Sequence, residues 1–109
     1  MALTRDFKET IAARVQKDAR FRRALLAEAV GTLLRGDLDT GKAMLRGYIN
    51  ATIGFETLAR EMDKDSKSIH RMLGPKGNPT AENIFTIVKI LQEAGDISFQ
   101  VTVSQHKAA

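Results

Sequence analysis

The stretch from Phe55 to Leu73, FETLAREMDKDSKSIHRML, constrains this chain more than any other. It reads as two short helices joined by a polar turn. Leu58, Ala59 and Met62 give the first helix an inner face, and Ile69, Met72 and Leu73 give the second the same. Between them, Asp63-Lys64-Asp65-Ser66 is too polar and too rich in turn formers to continue a helix. Ala59 is small enough to let the second helix cross the first closely at a steep angle. Two helices crossed in this way match a helix-turn-helix, whose second helix projects into the major groove of DNA.

The surrounding chain reads as one all-α domain over residues 1–109, long enough to bury a helical core without metals or cross-links. Thr4 is positioned to cap a helix over 5–16, with Phe7, Ile11 and Val15 four apart on one side. Asp18 caps a second, 19–35, whose Phe21, Leu25, Leu26, Ala29, Val30, Leu33 and Leu34 form a wide apolar stripe that Gly36 stops. Asp37 or Asp39 begins a third, to about residue 52, burying Leu38, Met44, Leu45, Tyr48 and Ile49. After the two-helix motif, Gly74-Pro75-Lys76-Gly77-Asn78-Pro79 excludes helix and predicts a defined loop. Thr80 then caps a helix over 81–94 with Ile84, Ile87, Val88 and Leu91 as its buried stripe.

The last element is different in kind. Residues 97–103, ISFQVTV, alternate apolar and polar side chains and predict a β-strand. A lone strand leaves its backbone donors and acceptors unpaired, and the chain offers no good second one. The same strand of a second copy is the simplest remedy, which makes Ile97, Phe99, Val101 and Val103 the expected homodimer seam. Strand addition to a different protein is the next option. The remaining one is an extended tail that packs Phe99 and Val101 onto the helices.

Charge is distributed unevenly. The formal net charge is +4, with a pI near 9.7. Residues 1–36 carry eight Lys/Arg against four Asp/Glu, and residues 65–79 carry three against one. The remaining segments, 37–64 and 80–109, are each acidic by one charge. The second helix of the motif and its loop are therefore a positive island, and the N-terminal arm is either a second one or a solvated helix face. In a helix-turn-helix the first turn and outer face of the second helix meet the groove. That leaves Ser66, Lys67, His70 and Arg71 groove-facing, with Arg71 the best candidate for a base and Lys67 for guanine or phosphate. Lys67 and Arg71 lie one helical turn apart, and the planar fork of Arg71 matches the two acceptors of guanine. Ser66 and Ser68 are short donors suited to phosphates, Lys76 and Asn78 with the backbone at the start of the 81–94 helix form a candidate phosphate clamp, and Asp65 is the N-cap.

Other classes of activity find little support. With two histidines and no cysteine, neither a disulfide framework nor a metal site is expected, and no cofactor motif is present. No spacing of serine, histidine and carboxylate makes a nucleophile and base. Gly74 to Asn78 has the composition of a phosphate loop, but lacks the preceding strand and the following Lys-Ser/Thr. No enzyme is expected, and no apolar run approaches a membrane span.

The stretch GFETLAREMDKDSKSIHRMLGPKGNPTAENIFTIVKIL closely resembles the helix-turn-helix of the lambda-repressor-like (Cro/Xre) superfamily. Within it, the resemblance is nearest to HigA-like addiction-module antidote regulators of bacteria. Its hallmarks stand here as SIHRML, KGNP, NIFTIVKIL and ISFQVTV, over about half the chain from Gly54 to Val103. The resemblance implies a helical repressor fold over 37–94 with two extra N-terminal helices in 1–36 and the short C-terminal strand. It also implies a bacterial, cytoplasmic dimer on a palindromic operator in double-stranded DNA, and a toxin partner. Two positions depart from the pattern. Asp63 stands where the turn normally has glycine, and Lys64 where an apolar residue normally tucks under the motif. Two functions follow as expectations. One is a dimeric, sequence-specific transcriptional regulator. The other is a toxin-neutralising antidote or protein-interaction module in which DNA binding is secondary or lost.

Overall fold

A computed structural model describes residues 5–106, with side chains from residue 9 onward. Six α-helices follow one another: α1 (Arg5–Lys17), α2 (Ala19–Leu34), α3 (Leu38–Ala51), α4 (Phe55–Glu61), α5 (Ser66–Met72) and α6 (Ala81–Ala94). The expected cap at Thr4 and the side chain of Phe7 lie outside the described residues.

Short-range hydrogen bonds set the helix starts. The side chain of Asp18 accepts from the amide of Phe21 at 3.1 Å, that of Asp37 from Thr40 at 3.2 Å, and that of Thr80 from Asn83 at 3.1 Å. Each satisfies an amide that has no partner within the helix. Gly36, at φ +88°, ends α2 in the left-handed conformation that glycine adopts without a Cβ clash.

Arginines fix the corner between α1 and α2. Arg22 donates to the carbonyl of Val15 at 2.7 Å, closing the C-terminal end of α1. The Arg14 guanidinium lies 4.2 Å from the Phe21 ring centroid and 3.8 Å from the Asp18 carboxylate. Part of the basic excess of the N-terminal arm is thus structural, a role beyond solvation or phosphate contact.

The core is centred on α3. Leu45, Tyr48 and Ile49 of α3 pack with Leu26 and Ala29 of α2, Phe55, Leu58 and Ala59 of α4, Ile69 and Leu73 at α5, and Ile87 and Leu91 of α6. Val15 brings α1 against this layer and is fully buried. The expected stripes hold at their middles and fail at their ends. Leu34, the last residue of α2, is 71% exposed, and Leu38, the first of α3, is 40% exposed.

Among the described residues no strand forms, which corrects the expected β-strand over 97–103. Asp96, at φ +53°, reverses the chain after α6. The amide of Ile97 then donates to the Gln92 carbonyl at 3.0 Å, and that of Phe99 to Gln92 Oε1 at 2.8 Å. Ile97 and Phe99 pack on the core. Val101 and Val103 remain 84% and 93% exposed. Alternation favours extended backbone, but a strand needs a second strand, and one copy of the chain provides none.

Candidate nucleic-acid interface

The pair α4 and α5 is joined by four residues, Met62 to Asp65. Asp63 adopts φ +55°, the left-handed conformation expected at the position where the resemblance has glycine. The amide of Lys64 then donates back to the carbonyl of Ala59 at 2.9 Å, closing the turn. Lys64 stays exposed. Ala59, Ile69 and Leu73 meet in the core, with Met62 and Met72 half-buried beside them. The apolar spacing read from the sequence therefore faces inward in both helices.

Asp65 caps α5, accepting from the amide of Ser68 at 2.8 Å. That hydrogen bond, with a second from the Ser68 hydroxyl and the nearby Arg71 charge, holds the Asp65 carboxyl below its usual range. The carboxylate caps while remaining solvent-exposed, so a phosphate approaching the start of α5 still meets its charge.

Lys67 and Arg71 both stand exposed, one turn apart on α5. Ser66 and Ser68 are half-buried at its first turn, and the Arg71 guanidinium lies 3.5 Å from Ser68 Oγ. His70 is exposed as expected, but its imidazole stacks on the buried Phe55 ring, centroids 3.8 Å apart at 22°. It therefore braces α5 against the start of α4. Beside the first turn of α5, Arg60, Asp63, Lys64, Asp65, Ser68 and Met72 line a shallow depression. Ser68 there shares a surface with two cations that the sequence reading did not assign, Arg60 and Lys64.

The loop from Gly74 to Pro79 folds back against the end of α5. A Cβ on Gly77 would overlap the carbonyl oxygens of Arg71 and Met72, so the close approach requires glycine. Lys76 and Asn78, on either side of it, are exposed. Glu82 occupies the first turn of α6 and complements its positive end.

Two further residues hold this surface from behind. Lys42 of α3 is 2% exposed, and its Nζ donates to the carbonyls of Gly74 at 3.0 Å and Gly77 at 2.6 Å. Arg46, one turn further along α3, donates to the carbonyl of Leu73. The sequence did hold a signal for Lys42. It sits three and seven positions before the buried Leu45 and Ile49, on the apolar stripe of α3, where a lysine needs buried acceptors.

No protein-family model, no curated protein and no solved structure gives a significant match to this chain. Among the described residues, no helix is long and apolar enough to cross a membrane.

Proposed function

We propose that the protein is a sequence-specific, DNA-binding transcriptional regulator that acts as a homodimer in the bacterial cytoplasm. The observation that supports this best is the presentation of α5. Its inner face is locked into the core by Ile69, while Lys67 and Arg71 stand exposed a turn apart and Lys76 and Asn78 are exposed on the loop packed against the end of α5. In this reading α5 enters the major groove. Arg71 takes guanine through both acceptors and Lys67 an adjacent base or phosphate. Ser66 and His70 border the base edges. Ser68, Lys76 and Asn78, joined by Arg60 and Lys64, face the sugar-phosphate backbone. Replacing Arg71 by alanine should cost about 1–3 kcal/mol of binding and relax preference at one base pair, whereas Lys76→Ala should weaken all sequences alike. If both variants bind duplexes as the parent does, this face is not the interface.

A second reading has its own observation. Residues 100–106 form no helix or strand and expose Val101 and Val103, which suits strand addition to another protein. A toxin-neutralising antidote would use it so. A small basic ribonuclease-like reading frame next to this one, with a product that binds the purified protein, would favour that role. A co-expressed neighbour that does not co-purify would count against it.

A further inference from the structure

The end of α5 and the loop that follows it are tied to α3 by cationic side chains rather than by apolar packing alone. The carbonyls of Leu73, Gly74 and Gly77 are all acceptors for Arg46 or Lys42. These groups cluster at the negative end of the α5 dipole, so two cations there are electrostatically well placed. Lys42 is the deeper of the two. Its Nζ donates to the Gly74 and Gly77 carbonyls and lies 3.7 Å from the exposed carboxylate of Asp39. The loop also holds itself, with the Gly77 amide donating to the Gly74 carbonyl at 2.9 Å. Gly77 is therefore gripped at both its amide and its carbonyl, and Lys76 and Asn78 are its immediate neighbours in the chain.

We infer that Lys42 is a positioning residue for the phosphate-facing loop: by chelating the Gly74 and Gly77 carbonyls from inside, it fixes Lys76 and Asn78 in register with the outer face of α5. This rests on the reading of that surface as a duplex-binding face. Without Lys42 the two carbonyls lose their buried donor, and the loop keeps its composition but not its placement. Lys76 then contributes diffuse charge in place of a fixed phosphate contact. Methionine is the informative replacement, because it keeps the length and apolar stem of lysine while removing every donor.

The test compares the parent, Lys42→Met, Lys76→Ala and the double variant for binding to one duplex over a range of salt. Each lost phosphate contact reduces the slope of log affinity against log salt by about 0.9. The expected result is the same reduction in Lys42→Met as in Lys76→Ala, with no further reduction in the double variant. General destabilisation would lower affinity without removing one specific contact from the slope. Parent binding with an unchanged slope in Lys42→Met, or additive losses in the double variant, overturns the inference and leaves the duplex-binding reading standing. Absence of salt-sensitive binding by the parent overturns that reading instead. A second measurement covers a Lys42→Met chain that fails to fold. In the parent, the Lys42 ammonium should give a slowly exchanging NMR signal, and exchange as fast as that of the exposed lysines would overturn the clamp directly.

Discussion

At Asp65 a single carboxylate does two things that pull in opposite directions. It satisfies the first turn of α5, and it places a negative charge at the edge of a surface read as phosphate-facing. Its hydrogen bonds from Ser68 keep its folded-state pKa below the ordinary value, so the folded protein binds fewer protons there than the unfolded chain. The stabilisation is therefore complete above the unfolded carboxyl pKa of about 3.9 and is lost as the pH falls through the lower folded value. Asparagine caps about as well as aspartate but does not titrate. Asp65→Asn should thus match the parent in thermal stability near neutral pH and show a shallower loss of stability on acidification. Identical acid dependence in the two proteins would mean that the cap contributes nothing. Removing the charge should also strengthen duplex binding at low salt. Asp63 makes a related compromise, since a short polar side chain is tolerated at φ +55° where β-branched residues are not.

Between elements, the contact that matters most is that of α4 with α5, where Ala59 lies buried in one cluster with Ile69 and Leu73. Ala59 is 3% exposed, and Ala59→Leu should destabilise by about 1–3 kcal/mol through overpacking. The same change should reduce duplex binding beyond what the lost stability explains, because it tilts α5. A melting temperature within a degree of the parent would show that the helices do not cross closely at this position. The helices themselves were legible in the sequence because their signals are local. Asp18, Asp37, Asp65 and Thr80 each bond an amide three positions ahead, so residue type and spacing suffice. The place of Lys42 on the apolar stripe of α3 signals its burial, but its acceptors lie 32 and 35 positions away and no local pattern identifies them. Leu34 and Leu38 were misplaced for a related reason: periodicity says which way a side chain points, and not whether a neighbour reaches that far. The tail shows the same limit, since alternation in 97–103 specifies extended backbone and leaves the pairing to a partner.

For the whole molecule, the account requires two copies. One α5 covers only part of a major-groove face, and two related by a two-fold axis should lie about 34 Å apart to read successive faces. Of the four residues expected at the seam, Val101 and Val103 stay exposed, whereas Ile97 and Phe99 pack on their own core. Replacing both by aspartate should shift sedimentation to the monomer and weaken duplex binding without changing helix content. A dimer that survives the double substitution would place the seam elsewhere. The central claim concerns DNA itself, and the most direct measurement is binding of the purified protein to a labelled duplex from its own upstream region, at several salt concentrations, against a scrambled competitor. The account predicts binding that falls steeply with salt and survives the competitor. Binding that the scrambled duplex abolishes, or none at the lowest salt, would contradict it.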